Sequence, residues 1–184
     1  MSDLAPVLKA LRFAARKHGG QLRKGDPGHP YIDHPIAVIE LLARCGVDDV
    51  VTIQAAALHD TIEDTDTTPQ ELAAEFGVAV RDVVLEVSDE KSLPKEERKR
   101  RQIEHAPSLS DRAKRIKLAD KTCNVLDVAF APPRDWSETR RADYLAWAEA
   151  VVRHCLGVGP VALEDAWHEA RAEAREAIPS GGRV

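Results

Sequence analysis

Four residues of two chemical kinds stand out along the chain: His34, the adjacent pair His59-Asp60, and Asp120. Two imidazoles and two carboxylates without a thiolate form the donor set of a harder divalent ion such as Mn²⁺, while zinc and iron accept the same donors. Just beyond the pair, in LHDTIEDTD (Leu58 to Asp66), come Glu63 and Asp64. At helical spacing Glu63 falls over His59 and Asp64 over Asp60, so the four side chains share an arc of roughly 140°. Acids at a helix C-terminus oppose the macrodipole, and clustered acids need a cation to organise them. An ion at this place activates water, and Glu63 and Asp64 are spaced to position that water and shuttle its proton. The plainer reading keeps each residue local: HDTIEDTD as an exposed acidic helix end, His34 as a helix-start residue before Pro35, and Asp120 as a partner of Lys117 or Lys121.

The ordered set H…HD…D resembles the HD-domain metal-dependent phosphohydrolases. The segments RKGDPGHPYIDHP, AALHDTIEDTDTT, KSLPKEERKRRQIEHAPSLS and IKLADKTCN are similar, in that order, to the small alarmone hydrolases of the Mesh type. Those are single-domain relatives of the hydrolase half of the RelA/SpoT proteins. The similarity runs from about Leu4 to about Leu163. It implies an all-α fold, a compact single-domain HD-domain helical bundle over 1–184. It also implies Mn²⁺-dependent hydrolysis of the 3′-diphosphate of guanosine tetra- or pentaphosphate, yielding pyrophosphate and GDP or GTP. By resemblance His34, His59, Asp60 and Asp120 are the metal ligands, and Glu63 and Asp64 the catalytic acids. The positions that line the nucleotide pocket in relatives are here Arg23, Lys24, Tyr31, Lys95, Lys121, Asn124, Arg140 and Tyr144. Two positions depart from the family pattern: Leu126 stands where relatives commonly carry arginine, and Asp33 where they usually carry asparagine. An enzyme acting on another nucleotide such as NADPH, or a catalytically silent nucleotide sensor, would use the same residues differently. A synthetase domain does not fit in 184 residues, so alarmone synthesis is not expected.

To bring such distant residues together the chain needs a succession of helices, and its punctuation predicts one. A stripe of Leu4, Leu8, Leu11, Ala14 and Ala15 ends at Gly19-Gly20, and Pro35 opens a second helix that stops at Gly46. A third runs from about Asp48 into LHDTIEDTD, with Asp66 left to the turn before the next helix. Thr68-Pro69-Gln70-Glu71 is a capping box for a short helix ending at Gly77. Helices follow over 78–87 and 94–105. The next, capped by Ser108 or Ser110, carries KLADKTCNVLDV as far as Pro132-Pro133, and Ser137 caps another that stops at Gly157. Pro160 opens a charge-rich terminal helix expected to fray at PSGGRV. The basic run KEERKRRQ (Lys95 to Gln102) lacks interleaved aromatics and reads as a solvated helix face, with Lys95 placed to close over substrate phosphates.

Composition narrows the classes. Hydrophobic residues are 43% and aromatics 4%, the signature of an aliphatic helical core. With 26 Lys plus Arg against 31 Asp plus Glu the net charge is -5, which gives no general pull toward nucleic acid or anionic membrane, so the partner expected is a small nucleotide held by local cations. Three cysteines without a CxxC pair and an N-terminus without an apolar leader predict a reduced, cytoplasmic setting and no membrane span. Oligomeric state is left open by these features.

Overall fold

The computed structural model describes residues 4–25 and 29–178. Its centre is the twenty-residue helix α8 (Asp111–Phe130), opened by Ser110, whose Oγ accepts the Ala113 amide at 3.3 Å. Ile116, Leu118, Ala119, Thr122, Val125 and Val128 are buried around its whole circumference, so this helix has no solvent stripe and must be wrapped by others. The wrapping helices are α2 (Asp33–Arg44), α3 (Val50–Leu58), α6 (Val78–Val87), α9 (Glu138–Val152) and α10 (Val161–Ala177). Outside them lie α1 (Leu4–Lys17), packed on α3, and α5 (Pro69–Phe76), packed on α6. α4 (Thr61–Asp64) and α7 (Lys95–His105), with a 3-10 turn at Ala106–Ser108, complete the helices. Extended pairing among the described residues is limited to one bridge, Leu22 to Pro30. The chain is all-α, as the sequence predicts, and no helix of the described residues is long and apolar enough to cross a membrane.

The core is aliphatic, and α3 shows why that matters for the site. Its sequence VVTIQAAAL buries every residue from Thr52 to Leu58. The three successive alanines let α1, α2, α6 and α8 approach its backbone closely, so the helix end that carries His59 is fixed from several sides. The start of α3 is fixed by Asp49, whose Oδ2 accepts the Thr52 amide at 3.1 Å and the Arg112 Nε at 2.7 Å. Arg112 belongs to α8, so this cap ties the first turn of the ligand-bearing helix to the central one.

Three expectations are corrected. Leu4 and Leu8 are 59% and 52% exposed; α1 instead buries Ala10, Phe13 and Ala14, a stripe turned by the edge contact of Phe13 on Phe76. The capping box is half formed: Thr68 Oγ1 accepts the Glu71 amide, but the Glu71 carboxylate goes to Lys17 at 3.0 Å rather than back to the cap. Third, the helix from Asp48 does not continue through LHDTIEDTD. α3 stops at Leu58 because two side chains take carbonyls of its last turn: His59 Nδ1 donates to Ala56 O and Thr61 Oγ1 to Leu58 O, both at 2.7 Å. His59 and Asp60 occupy the turn between α3 and α4. The fraying expected for PSGGRV lies outside the described residues.

The Asp49 cap has a pH signature. Arg112 first, opposed by burial and helped by Thr52, holds the Asp49 carboxyl down at about 2 from its ordinary 3.8. A carboxylate with a depressed folded pKa contributes stability above its unfolded value, and that stability is lost as pH falls through the folded one. Urea denaturation from pH 4 downward should therefore show a steeper loss of stability in wild type than in Asp49→Asn, which keeps a capping side chain but not the charge.

Candidate active site

Three elements deliver the ligand candidates. His34 is the second residue of α2, His59 and Asp60 form the α3–α4 turn, and Asp120 projects from the middle of α8. One atom each of His34, His59 and Asp120 lies within 4.8 Å of the others, and all three residues are buried. His34 Nε2 is 3.1 Å from Asp120 Oδ1, and His59 Nε2 is 3.8 Å from the same oxygen. Asp60 Oδ2 closes the group at 3.1 Å from His59 Nε2 and 3.9 Å from His34 Nε2. Ligand distances of about 2.0–2.2 Å around one ion set neighbouring donor atoms roughly 3 Å or a little more apart.

The residues fit a cation on two further grounds. His59 gives its Nδ1 hydrogen to Ala56 O, which aims Nε2 inward, where it is buried with no hydrogen bond despite the nearby Asp60 oxygen. Burial disfavours a charged His59, yet the Asp60 and Asp120 carboxylates outweigh it and push its pKa up to about 9. For Asp120 the burial that would raise the pKa is overcome by Lys121 and the histidines, and it stays well below the carboxylate range. A positive charge is thus favoured at the centre of this group.

Neighbouring side chains hold the carboxylates in place. Tyr31 Oη donates to Asp60 Oδ2 at 2.5 Å, and Asn124 Nδ2 donates to Asp120 Oδ1 at 2.5 Å. Lys121 Nζ pairs with Asp120 Oδ2 at 2.9 Å and sits 4.5 Å from the centre of the Trp147 ring. Lys121 is 4% exposed and paired with Asp120, and it is not among the residues that line the two cavities described next.

Glu63 and Asp64 stand on the single turn of α4, half-buried, each engaged by cations from another segment. Glu63 Oε1 receives Arg98 Nη1 at 3.0 Å, and its Oε2 accepts the Asp89 amide at 3.2 Å. Lys91 Nζ reaches Asp64 Oδ1 and Glu63 O, both at 2.8 Å. Burial first, then the carboxylate of Asp89, raises the pKa of Glu63, which makes it a stronger proton acceptor than an exposed glutamate.

Two adjoining cavities open beside these acids. The first, about 560 Å³, is lined by Arg23, Lys24, Tyr31, Asn124, Trp136 and Tyr144 among others. The second, about 790 Å³, carries Lys24, Lys95, Arg98, Lys99 and Arg140 around Glu63. Seven of the eight positions expected to line a nucleotide pocket therefore meet there, Lys121 being the exception. Within the first cavity Arg23 is forked onto Asp127 and Asn124 (2.7 and 2.6 Å). Between the two, Trp136 lies under Arg140 (4.5 Å) and Lys95 (5.8 Å). Tyr144 touches Trp136 and Trp147, and burial pushes its hydroxyl up to about 12. The loop bearing Lys24 comes close through Gly25, at φ +129°, where a Cβ would collide with the Ala131 carbonyl.

Sequence reasoning missed Arg98, Lys91, Lys99 and Trp136. A signal existed for the α7 residues: Lys95, Arg98, Lys99 and Gln102 follow i, i+3, i+4, i+7 spacing and face the second cavity together. Only the other face of KEERKRRQ is the solvated one expected, with Arg100 and Arg101 paired to Glu97 and Glu104 of the same helix.

A helical core with histidine and carboxylate ligands converging from α2, the α3–α4 turn and α8 defines a class, and comparison agrees. The HD-domain profile matches residues 10–158, and the chain belongs to the HD-domain family. Within that family it is similar to the guanosine-3′,5′-bis(diphosphate) 3′-pyrophosphohydrolase MESH1 of Homo sapiens, 51% identical over 157 residues covering 85% of this chain and 88% of the relative. The Drosophila melanogaster protein of the same name is 44% identical over 83% of this chain and 86% of its own. Among solved structures, that of a metazoan ortholog of SpoT that hydrolyzes ppGpp superposes with a TM-score of 0.83 at 40% identity, covering 90% of this chain and 95% of the other.

Loss of a ligand should be read first as loss of metal. His59→Ala and Asp120→Ala proteins, purified beside wild type and examined by elemental analysis, should retain less than about a tenth of the wild-type divalent metal, with far-ultraviolet dichroism reporting an intact helical fold.

Proposed function

We propose that the protein hydrolyses the 3′-diphosphate of guanosine tetra- or pentaphosphate with Mn²⁺ as its ion, releasing pyrophosphate and GDP or GTP and so removing an alarmone signal. The observation that carries the reading is the placement of Glu63 and Asp64 directly after the His59-Asp60 turn, each lining a cavity that carries cations. A silent sensor has no use for a half-buried carboxylate of raised basicity at that place. One HD-type domain over 1–184 would carry the whole activity, and its three free cysteines suit a reduced cytoplasm.

His34, His59, Asp60 and Asp120 would hold the ion, which when bound supplies Lewis-acid polarisation and activates water near neutral pH. Glu63, raised in basicity by burial and Asp89, takes the proton of the attacking water. Asp64, held by Lys91, orients that water. Lys24, Lys95 and Arg140 hold phosphate oxygens, and Arg23 and Asn124 set the nucleoside against the first cavity. Tyr144, with Trp136, offers a flat apolar wall to a purine or its ribose. The strongly local cation placement explains how a chain of net charge -5 can take a polyanion.

Chromatographic product analysis tests this directly. Protein loaded with Mn²⁺ should release pyrophosphate from guanosine tetraphosphate, chelation should abolish that release, and NADPH serves as the competing substrate. Glu63→Gln should lower kcat by roughly 10²–10⁴ with a much smaller change in KM. Absence of pyrophosphate release by metal-loaded wild type would refute the assignment.

A further inference from the structure

Three arginines lie in the run KEERKRRQ, and they do different things. Arg100 pairs with Glu97 and Glu104, and Arg101 with Glu97 and Glu90. Arg98 has no acid within reach on its own helix: the positions three and four residues away are Pro94, Lys95, Arg101 and Gln102. It crosses instead to α4, where Nη1 meets Glu63 Oε1 at 3.0 Å. The side chain is 25% exposed against 59% for Arg100, so this contact is shielded where the outer pairs are screened.

The rest of the guanidinium is uncommitted. Nε is buried without a hydrogen-bond partner, and Nη2 makes no hydrogen bond among the described residues. The same side chain lines the 790 Å³ cavity together with Lys24, Lys95, Lys99 and Arg140. A planar fork with one hand on a carboxylate and its other donors unpaired, on a side chain that lines a cationic cavity, suits a phosphate oxygen as its second partner. Among the described residues Glu63 has two donors to its carboxylate, Arg98 Nη1 and the Asp89 amide, so moving the guanidinium moves the carboxylate.

We propose that Arg98 is a positioning residue that links Glu63 to the scissile diphosphate: Nη1 sets the Glu63 carboxylate while Nη2 takes an oxygen of the same diphosphate. The inference rests on the hydrolytic reading above and adds to it a direct link between the seating of the diphosphate and the position of the Glu63 carboxylate. The more distant Lys95 and Arg140, gathered over Trp136, are left for phosphates at the other end of the nucleotide.

The test uses the full chain loaded with Mn²⁺, as wild type, Arg98→Met, Arg98→Lys and Glu63→Gln. Steady-state hydrolysis of guanosine tetraphosphate is measured alongside calorimetric titration with pyrophosphate. Arg98→Met should lower kcat by about 100-fold and weaken pyrophosphate binding by about tenfold. Arg98→Lys should recover pyrophosphate affinity to within about threefold but leave kcat at least about tenfold down, because one ammonium does not serve both partners in a fixed fork. Glu63→Gln should lose kcat and keep pyrophosphate affinity. Unchanged pyrophosphate binding in Arg98→Met, or recovery of both quantities in Arg98→Lys, would overturn the inference. If wild type turns nothing over, the hydrolytic reading falls, while the pyrophosphate titrations still decide whether Arg98 touches phosphate.

Discussion

Bringing two carboxylates and two imidazoles into one buried space is the constraint on which this structure turns. Like charges within a few ångströms repel, and ionised groups out of water lose their hydration. The fold answers with neutral or cationic donors on each carboxylate: Tyr31 for Asp60, and Asn124 with Lys121 for Asp120. These supports come from the loop before α2 and from α8 itself, the helix buried all round. The aliphatic core therefore does more than stabilise; it keeps water away from charges whose mutual attraction depends on its absence.

A second polarity is arranged on the open side. The acids Glu63 and Asp64 sit on a helix of a single turn and are held from outside by Arg98 and Lys91. Cations suited to an anionic ligand are drawn from α7, α9 and the loop between α1 and α2 that carries Lys24. The site is thus rigid on the ligand side, where α2, α3 and α8 pack directly, and built of long side chains on the nucleotide side. A polyanion with several rotatable bonds meets charges that can follow it.

Much of this was legible in the sequence because chemistry restricts residue type. Histidine and carboxylate at three separated places, and an acid pair one turn beyond one of them, leave few alternatives. Caps at Thr68, Ser110 and Ser137 were equally readable, since each starts a helix by accepting an amide. What was not legible depended on side chains choosing between two partners. The end of α3 hinges on His59 and Thr61 competing for backbone carbonyls. Lys121 could face a phosphate or Asp120, and the neighbouring carboxylate won. Arg98 looked like its neighbours in a charged run; its lack of a helical acid partner was visible, but where it would reach was not.

The bond from His59 Nδ1 to Ala56 O makes the final turn of α3 part of the inner support of the ion. Anything that holds His59 Nε2 also holds that carbonyl, and with it the alanines packed beneath. Occupancy of the centre and local opening of this helix end are consequently one equilibrium seen from two sides. Backbone amide exchange in the turn becomes a gauge of whether the centre holds a metal ion.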